Sequence, residues 1–413
     1  MKWKARREAF DAGFYLSHRS SWRACLLQHS EPRLAKLEPR DEGLSLQWGD
    51  GQETMFPWFW LRDHGQDEAS LDPDTLQRRV DTFEISHDIR GLESRLLDEG
   101  AALEIAWQSS STPSRYSADF LAVMAGLVPS GADLAPQVPR RLWSKCDPLE
   151  VPSPLAHDDV LDSKTGLQAC LERVHALGFA VVEGVPTDDS AIERFLTRIG
   201  YVRTTIFGGL WTLSAEVRDH DDTAYSQQYL EPHTDGTYSH DAPGLQSFVC
   251  REFDGSGGES ILVDGFALAE EMRREAPDHF ETLCSVVVPG RYIEPGVHLR
   301  AERPAFLTQA DGALRQISFN NYDRAPFSLP PDRMTAFYAA YRDFHARIIE
   351  RANWLTIPLR PGMALVFDNW RLLHGRMGYS GKRVFCGCYH NHEDFESALR
   401  TVTAEAENSP GPN

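Results

Sequence analysis

The chain has 413 residues, which is enough for a large hydrophobic core and for two domains. Its formal net charge of −19 argues against a nucleic-acid-binding protein, because phosphate binding requires clustered basic residues. The sequence has no run of about 18 apolar residues, so we expect no membrane-spanning helix. The seven scattered cysteines indicate reduced thiols in a cytosol-like compartment.

The first segment, residues 1–38, is expected to be a solvated N-terminal extension or the product of a misassigned start codon. It is basic on balance but lacks the continuous apolar core of a secretory signal. Its arginines would suit a mitochondrial transit peptide, although Glu8 and Asp11 count against that alternative. We therefore expect a cytoplasmic protein, with a mitochondrial location as the alternative.

Residues 39–130 are expected to form a small β-rich domain. The strand-like LSLQW is followed by an Asp50–Gly51 turn and by ETMFPWFWLRDH, which is the pattern of a β-hairpin. A second pair of strands is expected at VDTFEIS and ALEIAW, and a helix at SADFLAVMAGL. The Pro-punctuated residues 131–155 are expected to link this domain to the next.

Residues 156–403 are expected to form a mainly β domain with flanking helices. Apolar periodicity and capping residues predict helices at TGLQACLERVHALGF, DDSAIERFLTRIG, GFALAEEMRREAPDHFETL and DRMTAFYAAYRDFHARIIERA. Short strands lie between these helices, which fits a double-stranded β-helix, or jelly-roll, core. The polar tail, residues 404–413, is expected to be disordered.

A His-x-Asp pair, His233 and Asp235, precedes the apolar, strand-like segment LQSFVC. Residues two apart on an extended strand point to the same side, so this pair can bind one metal ion. Other His-x-Asp pairs occur, but only this one leads into an apolar strand and has a later histidine, His374, inside a second apolar strand. Two histidines and one carboxylate form the facial triad that binds non-haem Fe(II). We therefore predict that these three residues bind Fe(II).

A candidate anion ligand lies nine residues after His374. Arg383 opens the strand-like RVFCGCY, where a guanidinium can hold a carboxylate through two hydrogen bonds. Arg371 and Arg376 are alternatives to Arg383 for this role. Arg371 is also a candidate for a purely structural role, because it stands only three residues before His374.

Four longer stretches carry a resemblance to a known family. They are DTAYSQQYLEPHTDGTYSHDAPGLQSFVC, GSGGESILVDGF, ISFNNYDRAPF and FDNWRLLHGRMGYSGKRVFCGCY. They resemble the trimethyllysine dioxygenase and γ-butyrobetaine dioxygenase family of Fe(II)/2-oxoglutarate-dependent hydroxylases, with greater similarity to the former. The resemblance extends from about Leu44 to Arg400. It implies a hydroxylase of the carnitine-biosynthesis type that uses Fe(II), 2-oxoglutarate and O2, with ascorbate as a reductant, and that forms a homodimer.

The resemblance also implies how 2-oxoglutarate binds. Its far carboxylate needs a cation and a hydroxyl group deep in the barrel. Arg383 fits the cation, and Ser260, in GSGGESILVDGF, falls at the family position for a serine or threonine that contacts the same carboxylate.

The resemblance implies an aromatic site for a trimethylammonium group. Such a cation cannot donate a hydrogen bond, so it is recognised by the faces of aromatic rings. Trp211, Tyr225 and Tyr389 are the expected rings, and Phe207 stands where the trimethyllysine enzymes have tyrosine. Tyr238 is a further candidate.

Polar residues are implied at the other end of the substrate. Asp222 matches the trimethyllysine enzymes, whereas the γ-butyrobetaine enzymes have asparagine there and bind a substrate without an α-amine. Asn320 and Tyr322 match family residues that contact the polar end, and Gly236 departs from the larger residue often found after HTD. The expected substrate is N6-trimethyllysine, hydroxylated at C3. The alternatives are γ-butyrobetaine, a (trimethylamino)ethylphosphonate, or an inactive binding protein with the same fold.

Members of the resembled family carry structural zinc in the N-terminal domain, bound by cysteines after WLRD and by a later histidine. Here WLRDHGQDEASLD contains no cysteine and ALEIAWQSSS contains no histidine. Because zinc requires three or four such ligands, His64 alone is insufficient. We expect the β-rich domain to persist without zinc.

Overall fold

The structure is a computed structural model that describes residues 32–108, 110–128, 138–216 and 226–407, with only the backbone at Ser111 and at 404–407. Internal contacts divide the chain into one unit of residues 1–135 with 404–413 and a second unit of residues 136–403. Asp222 and Tyr225 lie outside the described residues, as do most of the predicted N-terminal extension, the start of the predicted linker and most of the predicted tail.

The first unit contains two three-stranded antiparallel sheets. One sheet is formed by β1 (Leu34–Pro39), β2 (Gly43–Trp48) and β3 (Glu53–Pro57), and the other by β4 (Gly91–Leu97), β5 (Ala102–Trp107) and β6 (Ser110–Ser117). The helices are α1 (Trp58–Asp63) and α2 (Ala118–Met124), with 3-10 turns at Thr82–Glu84 and Asp98–Gly100. Leu44, Leu46 and Trp48 alternate along β2 and are buried with Ile105, so the period-two pattern correctly predicted this strand.

Two predicted strands of this unit are wrong in part or in whole. The strand predicted at ETMFPWFWLRDH ends at Pro57 and the chain continues as α1, because proline lacks the N–H that a sheet ladder needs and suits a helix start. VDTFEIS contains only a 3-10 turn, in which the Asp81 carboxylate accepts the N–H of Phe83. Phe83 is 97% exposed, and only Ile85 of this segment packs against the core of the unit.

The second unit is built on two sheets that share a buried cluster. The strands are β7 (Leu155–Ala156), β8 (Phe179–Glu183), β9 (Val202–Arg203), β10 (Leu210–Leu213), β11 (Leu230–His233), β12 (Leu245–Gly257), β13 (Ser260–Asp264), β14 (Val287–Glu294), β15 (Val297–Pro304), β16 (Phe306–Thr308), β17 (Leu314–Ile317), β18 (Leu355–Ile357), β19 (Met363–Asp368), β20 (Leu372–Arg376) and β21 (Tyr379–His390). The larger sheet has the order β10-β21-β12-β19-β8-β7, with β9 also paired to β21, and the smaller has the order β11-β20-β13-β18. Leu262 of the smaller sheet and Phe367 of the larger lie in one cluster, and the predicted jelly-roll fold class is confirmed.

Helices pack on the other face of each sheet. They are α3 (His157–Asp162), α4 (Lys164–Leu177), α5 (Asp189–Ile199), α6 (Gly265–Glu275), α7 (Pro277–Ser285), α8 (Pro331–Ile349) and α9 (His392–Glu407), with a 3-10 turn at Arg351–Asn353. The helix predicted across GFALAEEMRREAPDHFETL is split after Glu275, because Pro277 begins a second helix. In the described ranges, no helix is both long and apolar enough to cross a membrane.

Buried polar groups fix the turn between β19 and β20. Arg371, which is fully buried, forms an ion pair with Asp264 at 2.7 Å and donates hydrogen bonds to three backbone carbonyls. His392 stacks on the Trp370 ring at 4.3 Å between centroids, and its Nε2 lies 3.7 Å from Oδ2 of Asp368. Arg371 therefore has a structural role and is not available as an alternative to Arg383.

We predict that His392 makes the stability of the fold pH-dependent. Burial opposes its charge, but Asp368 and Glu396 raise the pKa of this imidazole to about 9. Because the folded pKa exceeds the ordinary value of about 6.5, this stabilisation is complete below about pH 6.5 and is lost as the pH rises through about 9.

The measurement is urea unfolding of the wild type and His392→Gln between pH 6 and 10. The free energy of unfolding should fall with pH more steeply in the wild type than in the variant. Taking the difference between the two proteins removes the contribution of the cysteines, which also titrate in this range. Parallel pH profiles would contradict the prediction.

Candidate active site

The two predicted metal-binding histidines are direct cross-strand neighbours. His233 ends β11 and pairs with His374 of β20, and their ring centroids are 4.5 Å apart. Asp235 follows in the loop after β11, with its Oδ1 3.2 Å from Nε2 of His233 and 3.9 Å from Nε2 of His374. The ligand atoms of the three residues all lie within 4.8 Å of one another, and no other group in the described part of the chain meets this criterion for a metal site.

His374 and Asp235 have the protonation states that a divalent metal needs, whereas His233 must lose a proton to bind one. Nδ1 of His233 is hydrogen-bonded to the carbonyl of Glu231 at 2.7 Å, which leaves Nε2 for a metal. Burial lowers the pKa of His374 to about 3, so this imidazole is neutral. Burial alone would raise the pKa of Asp235, but His374 and His233 hold it well below its ordinary value. Asp235 in turn raises the pKa of His233 against the effect of burial, so a metal competes with a proton there.

Asp235 is held by two residues outside the triad. The hydroxyl of Tyr389 donates to Oδ2 at 2.7 Å, while Oδ1 faces both imidazoles. The amide of Asn369, only 1% exposed, accepts the N–H of Asp235 at 2.9 Å and donates to the carbonyls of Asp235 (3.1 Å) and Pro243 (2.9 Å). One side chain thus fixes the loop that carries the carboxylate. Asn369 was not predicted from the sequence, although it lies five residues before His374.

Arg383 has the surroundings of an anion ligand. It is 9% exposed on β21, and its guanidinium carbon lies 3.7 Å from the centre of the Phe385 ring. Burial and the nearby Arg376 lower its pKa to about 10, so it remains charged at neutral pH. Within the described residues no carboxylate pairs with it. Arg376 differs, because it donates hydrogen bonds to the carbonyls of Ser226 and Gln228.

The candidate metal residues and the buried Arg383 line one cavity of about 930 Å³, counting its open mouth. Every predicted site residue in the described ranges lines it: His233, Asp235, His374, Arg383, Ser260, Phe207, Trp211, Tyr238, Asn320, Tyr322 and Tyr389. Their individual roles remain predictions. The lining also includes Gln246, Phe248 and Asp323, which were not predicted from the sequence. Gln246 and Phe248 alternate along β12, so the period of the strand that follows Asp235 was the available indication.

Aromatic rings form one wall of the cavity. The centroid of Trp211 lies 6.4 Å from that of Phe207 and 5.5 Å from that of Tyr389. Trp211 is the cross-strand partner of Gly387, where a Cβ atom would come within 2.0 Å of the indole ring. Gly387 therefore lets the Trp211 ring lie directly on β21. Tyr292, another residue not predicted from the sequence, contacts Phe207 at 6.0 Å between centroids.

Gly236 is tightly constrained by its surroundings. Its φ of +74° lies in the left-handed region, and a Cβ atom would approach Cδ of Pro243 at 2.5 Å. A larger residue would therefore require a different path for the loop after Asp235. Gly236 lines a second cavity, which shares Phe207, Tyr238 and Tyr389 with the first.

Comparisons with known proteins point to one family. The family described as "Taurine catabolism dioxygenase TauD, TfdA family" matches residues 148–389, and "Gamma-butyrobetaine hydroxylase-like, N-terminal" matches residues 35–122. Trimethyllysine dioxygenase from Meyerozyma guilliermondii is 30% identical over 388 residues, covering 90% of this chain and 96% of that protein. The mitochondrial trimethyllysine dioxygenase of Rattus norvegicus is 33% identical, with 89% and 87% covered. Gamma-butyrobetaine dioxygenase from Pseudomonas sp. is 31% identical, with 89% and 95% covered.

We predict that His374→Ala abolishes stoichiometric Fe(II) binding without unfolding the protein, because it removes one of three protein ligands. Anaerobic Fe(II) titration measures the binding, and circular dichroism checks the fold. His157→Ala is the matched control, since His157 is also a buried histidine of a His-x-Asp pair but lies outside the cavity. Tight iron binding by His374→Ala would contradict the assignment.

We predict that Asn369→Ala weakens Fe(II) binding by about 10- to 100-fold, as is typical when a residue that orients a metal ligand is lost. Asn369→Asp should be intermediate, because it keeps the acceptor for the Asp235 N–H and loses the two donated hydrogen bonds. Asn321→Ala, which replaces an exposed asparagine outside the cavity, is the control. Equal Fe(II) affinities in all four proteins would show that Asn369 does not position the carboxylate.

Proposed function

The chain belongs to the TauD, TfdA family of dioxygenases, and from this premise we propose that it hydroxylates N6-trimethyllysine at C3 with Fe(II) and 2-oxoglutarate. The observation that carries the proposal is a single cavity that combines three kinds of group. These are the His233, Asp235 and His374 cluster, the buried cation Arg383, and a wall of aromatic rings.

His233, Asp235 and His374 would hold the iron through two neutral imidazoles and one carboxylate. Bound Fe(II), with 2-oxoglutarate and O2, supplies the hydroxylation of an unactivated C–H bond while 2-oxoglutarate is converted to succinate and CO2, and ascorbate serves as a reductant. The protein residues bind and orient the reactants and keep bulk water from the reacting carbon. Arg383 and Ser260 would hold the far carboxylate of 2-oxoglutarate. Among the described residues no carboxylate pairs with buried Arg383, so the 2-oxoglutarate carboxylate would be its counter-ion.

The aromatic wall supports a quaternary ammonium substrate. A desolvated ring contributes up to about 2 kcal/mol to binding a cation, so Phe207, Trp211 and Tyr389 together could supply most of the roughly 8 kcal/mol of a micromolar complex. Tyr225, outside the described residues, and Tyr238 are proposed to complete this site. Overall identity does not separate the substrates, because the named trimethyllysine and γ-butyrobetaine enzymes are almost equally similar to this chain.

The polar residues proposed for the other end of the substrate favour trimethyllysine over γ-butyrobetaine as the substrate. Asp222 is proposed to bind the α-ammonium group. Asn320 and Tyr322 are proposed to contact the same end of the substrate. A trimethylammonium phosphonate would instead need additional cationic donors beside the ring wall. We also infer a homodimer in the cytoplasm, with a mitochondrial location as the alternative that the name of the rat relative suggests.

The proposal is tested by incubating the protein with Fe(II), 2-oxoglutarate, ascorbate and O2, and with one candidate substrate at a time. We expect succinate formation coupled to a trimethyllysine product that is heavier by one oxygen atom, with a lower kcat/KM for γ-butyrobetaine. Product mass and succinate are measured together, so that uncoupled decarboxylation is recognised. His374→Ala is the inactive control. Binding of the compounds without succinate formation would favour the binding-protein alternative and overturn the proposal.

A further inference from the structure

Asp323 is the second carboxylate in the described lining of the cavity, beside the candidate metal ligand Asp235. It follows Asn320 and Tyr322 in the connection between β17 and α8. The amide of Asn320 donates to Oδ2 of Asp323 at 2.8 Å, and the Asp323 carbonyl accepts the N–H of Arg291 at 2.8 Å. Both the side chain and the backbone of Asp323 are therefore held in place.

Asp323 belongs to a segment that lies against the strand carrying His233. The neighbouring Tyr322 ring is 6.1 Å from that of His233, and the Tyr322 hydroxyl accepts the N–H of Glu231 on β11 at 3.3 Å. The Phe319 carbonyl, four residues before Asp323, accepts the N–H of Thr234 at 2.8 Å. The cationic side chains of the lining, Arg376 and Arg383, mark the proposed 2-oxoglutarate end. The lining thus presents cations to the proposed co-substrate and an additional anion near the metal ligands.

We propose that the Asp323 carboxylate binds the α-ammonium group of the substrate and determines its selection. This inference rests on the proposed function. In trimethyllysine the α-ammonium is attached to the carbon next to C3, so it must lie close to the metal ligands when C3 faces the iron. The trimethylammonium group is at the far end of the side chain, where the rings of Phe207, Trp211 and Tyr389 are the suitable partners.

The two cationic ends of this substrate require different chemistry. A primary ammonium group has three N–H donors and is best satisfied by carboxylates and other acceptors, whereas a trimethylammonium group has no donor and is attracted to ring faces. Three donors also leave room for Asp222 as a second acceptor. γ-Butyrobetaine has a carboxylate and no α-ammonium, so Asp323 would offer it no favourable ion pair and would repel its anionic end.

The test compares trimethyllysine with 6-(trimethylammonio)hexanoate, which has the same chain and both terminal groups but no α-ammonium. We expect the wild type to prefer trimethyllysine by at least about tenfold in kcat/KM, which corresponds to about 1.4 kcal/mol. Asp323→Asn should reduce this preference by about tenfold, mainly by raising KM for trimethyllysine. Asp323→Glu should retain part of it, because it keeps the charge.

Glu302→Gln is the matched control, since it also removes one negative charge but from an exposed side chain outside the cavity. It should leave both substrates unaffected. A second readout is the change in the anaerobic absorption of the Fe(II)·2-oxoglutarate complex when each substrate binds. Asp323→Asn should weaken this response to trimethyllysine and not to the analogue.

The outcomes separate this inference from the proposed function. If the wild type hydroxylates both compounds and Asp323→Asn has the same preference as the wild type, the role of Asp323 is refuted and the proposed function stands. If the wild type uses both compounds equally, the inference is refuted without any variant, even should Asp323→Asn fail to fold. If the wild type hydroxylates neither compound, the proposed function fails and the inference fails with it.

Discussion

The pairing of β11 with β20 is the constraint on which the candidate active site depends. It places His233 opposite His374, and because side chains alternate along a strand, a shift of one residue would turn one imidazole away from the other. Gly375 permits the close approach of the two strands, since a Cβ atom there would lie 2.6 Å from the Leu230 carbonyl oxygen. On its other side β20 pairs with β13, where Leu262 is the neighbour of His374. The position of the second histidine is therefore set by the core of the smaller sheet.

The segment 368–371 connects this sheet to the rest of the second unit, and each of its four residues makes a contact that fixes the segment or its surroundings. Asp368 faces His392, Asn369 holds the loop of Asp235, Trp370 stacks on His392, and Arg371 is paired with Asp264. Asp264 also accepts the N–H groups of Phe266 and Ala267 at the start of α6. The desolvation cost of the buried ion pair is offset by these additional hydrogen bonds. The candidate metal carboxylate is thereby fixed through backbone contacts that do not involve the metal.

The sequence allowed the strands and the candidate metal residues to be predicted because their indications are local. The alternation in β2 follows from the period of an extended chain. The His-x-Asp spacing before an apolar strand identified the candidate metal residues, although Asp235 lies in the loop after β11 and not on the strand with His233. Asn369 was not predictable in this way, because its partner Asp235 is 134 residues away and no local pattern distinguishes it from a turn asparagine. For VDTFEIS, by contrast, the local pattern predicted a strand that the structure does not contain. Its composition favours a strand, but a strand requires a partner and a core, and β5 pairs instead with β4 and β6.

The three arginines near His374 show why the choice of anion ligand required the structure. Spacing alone left Arg371, Arg376 and Arg383 as alternatives, and all three are buried. Arg371 is already neutralised by Asp264, and Arg376 donates to the carbonyls of Ser226 and Gln228. Arg383 packs on the rings of Phe385 and Tyr379, which shield its charge but do not neutralise it. A buried cation without a counter-ion is costly, so among the described residues Arg383 is the position where a dianionic co-substrate would gain the most from binding.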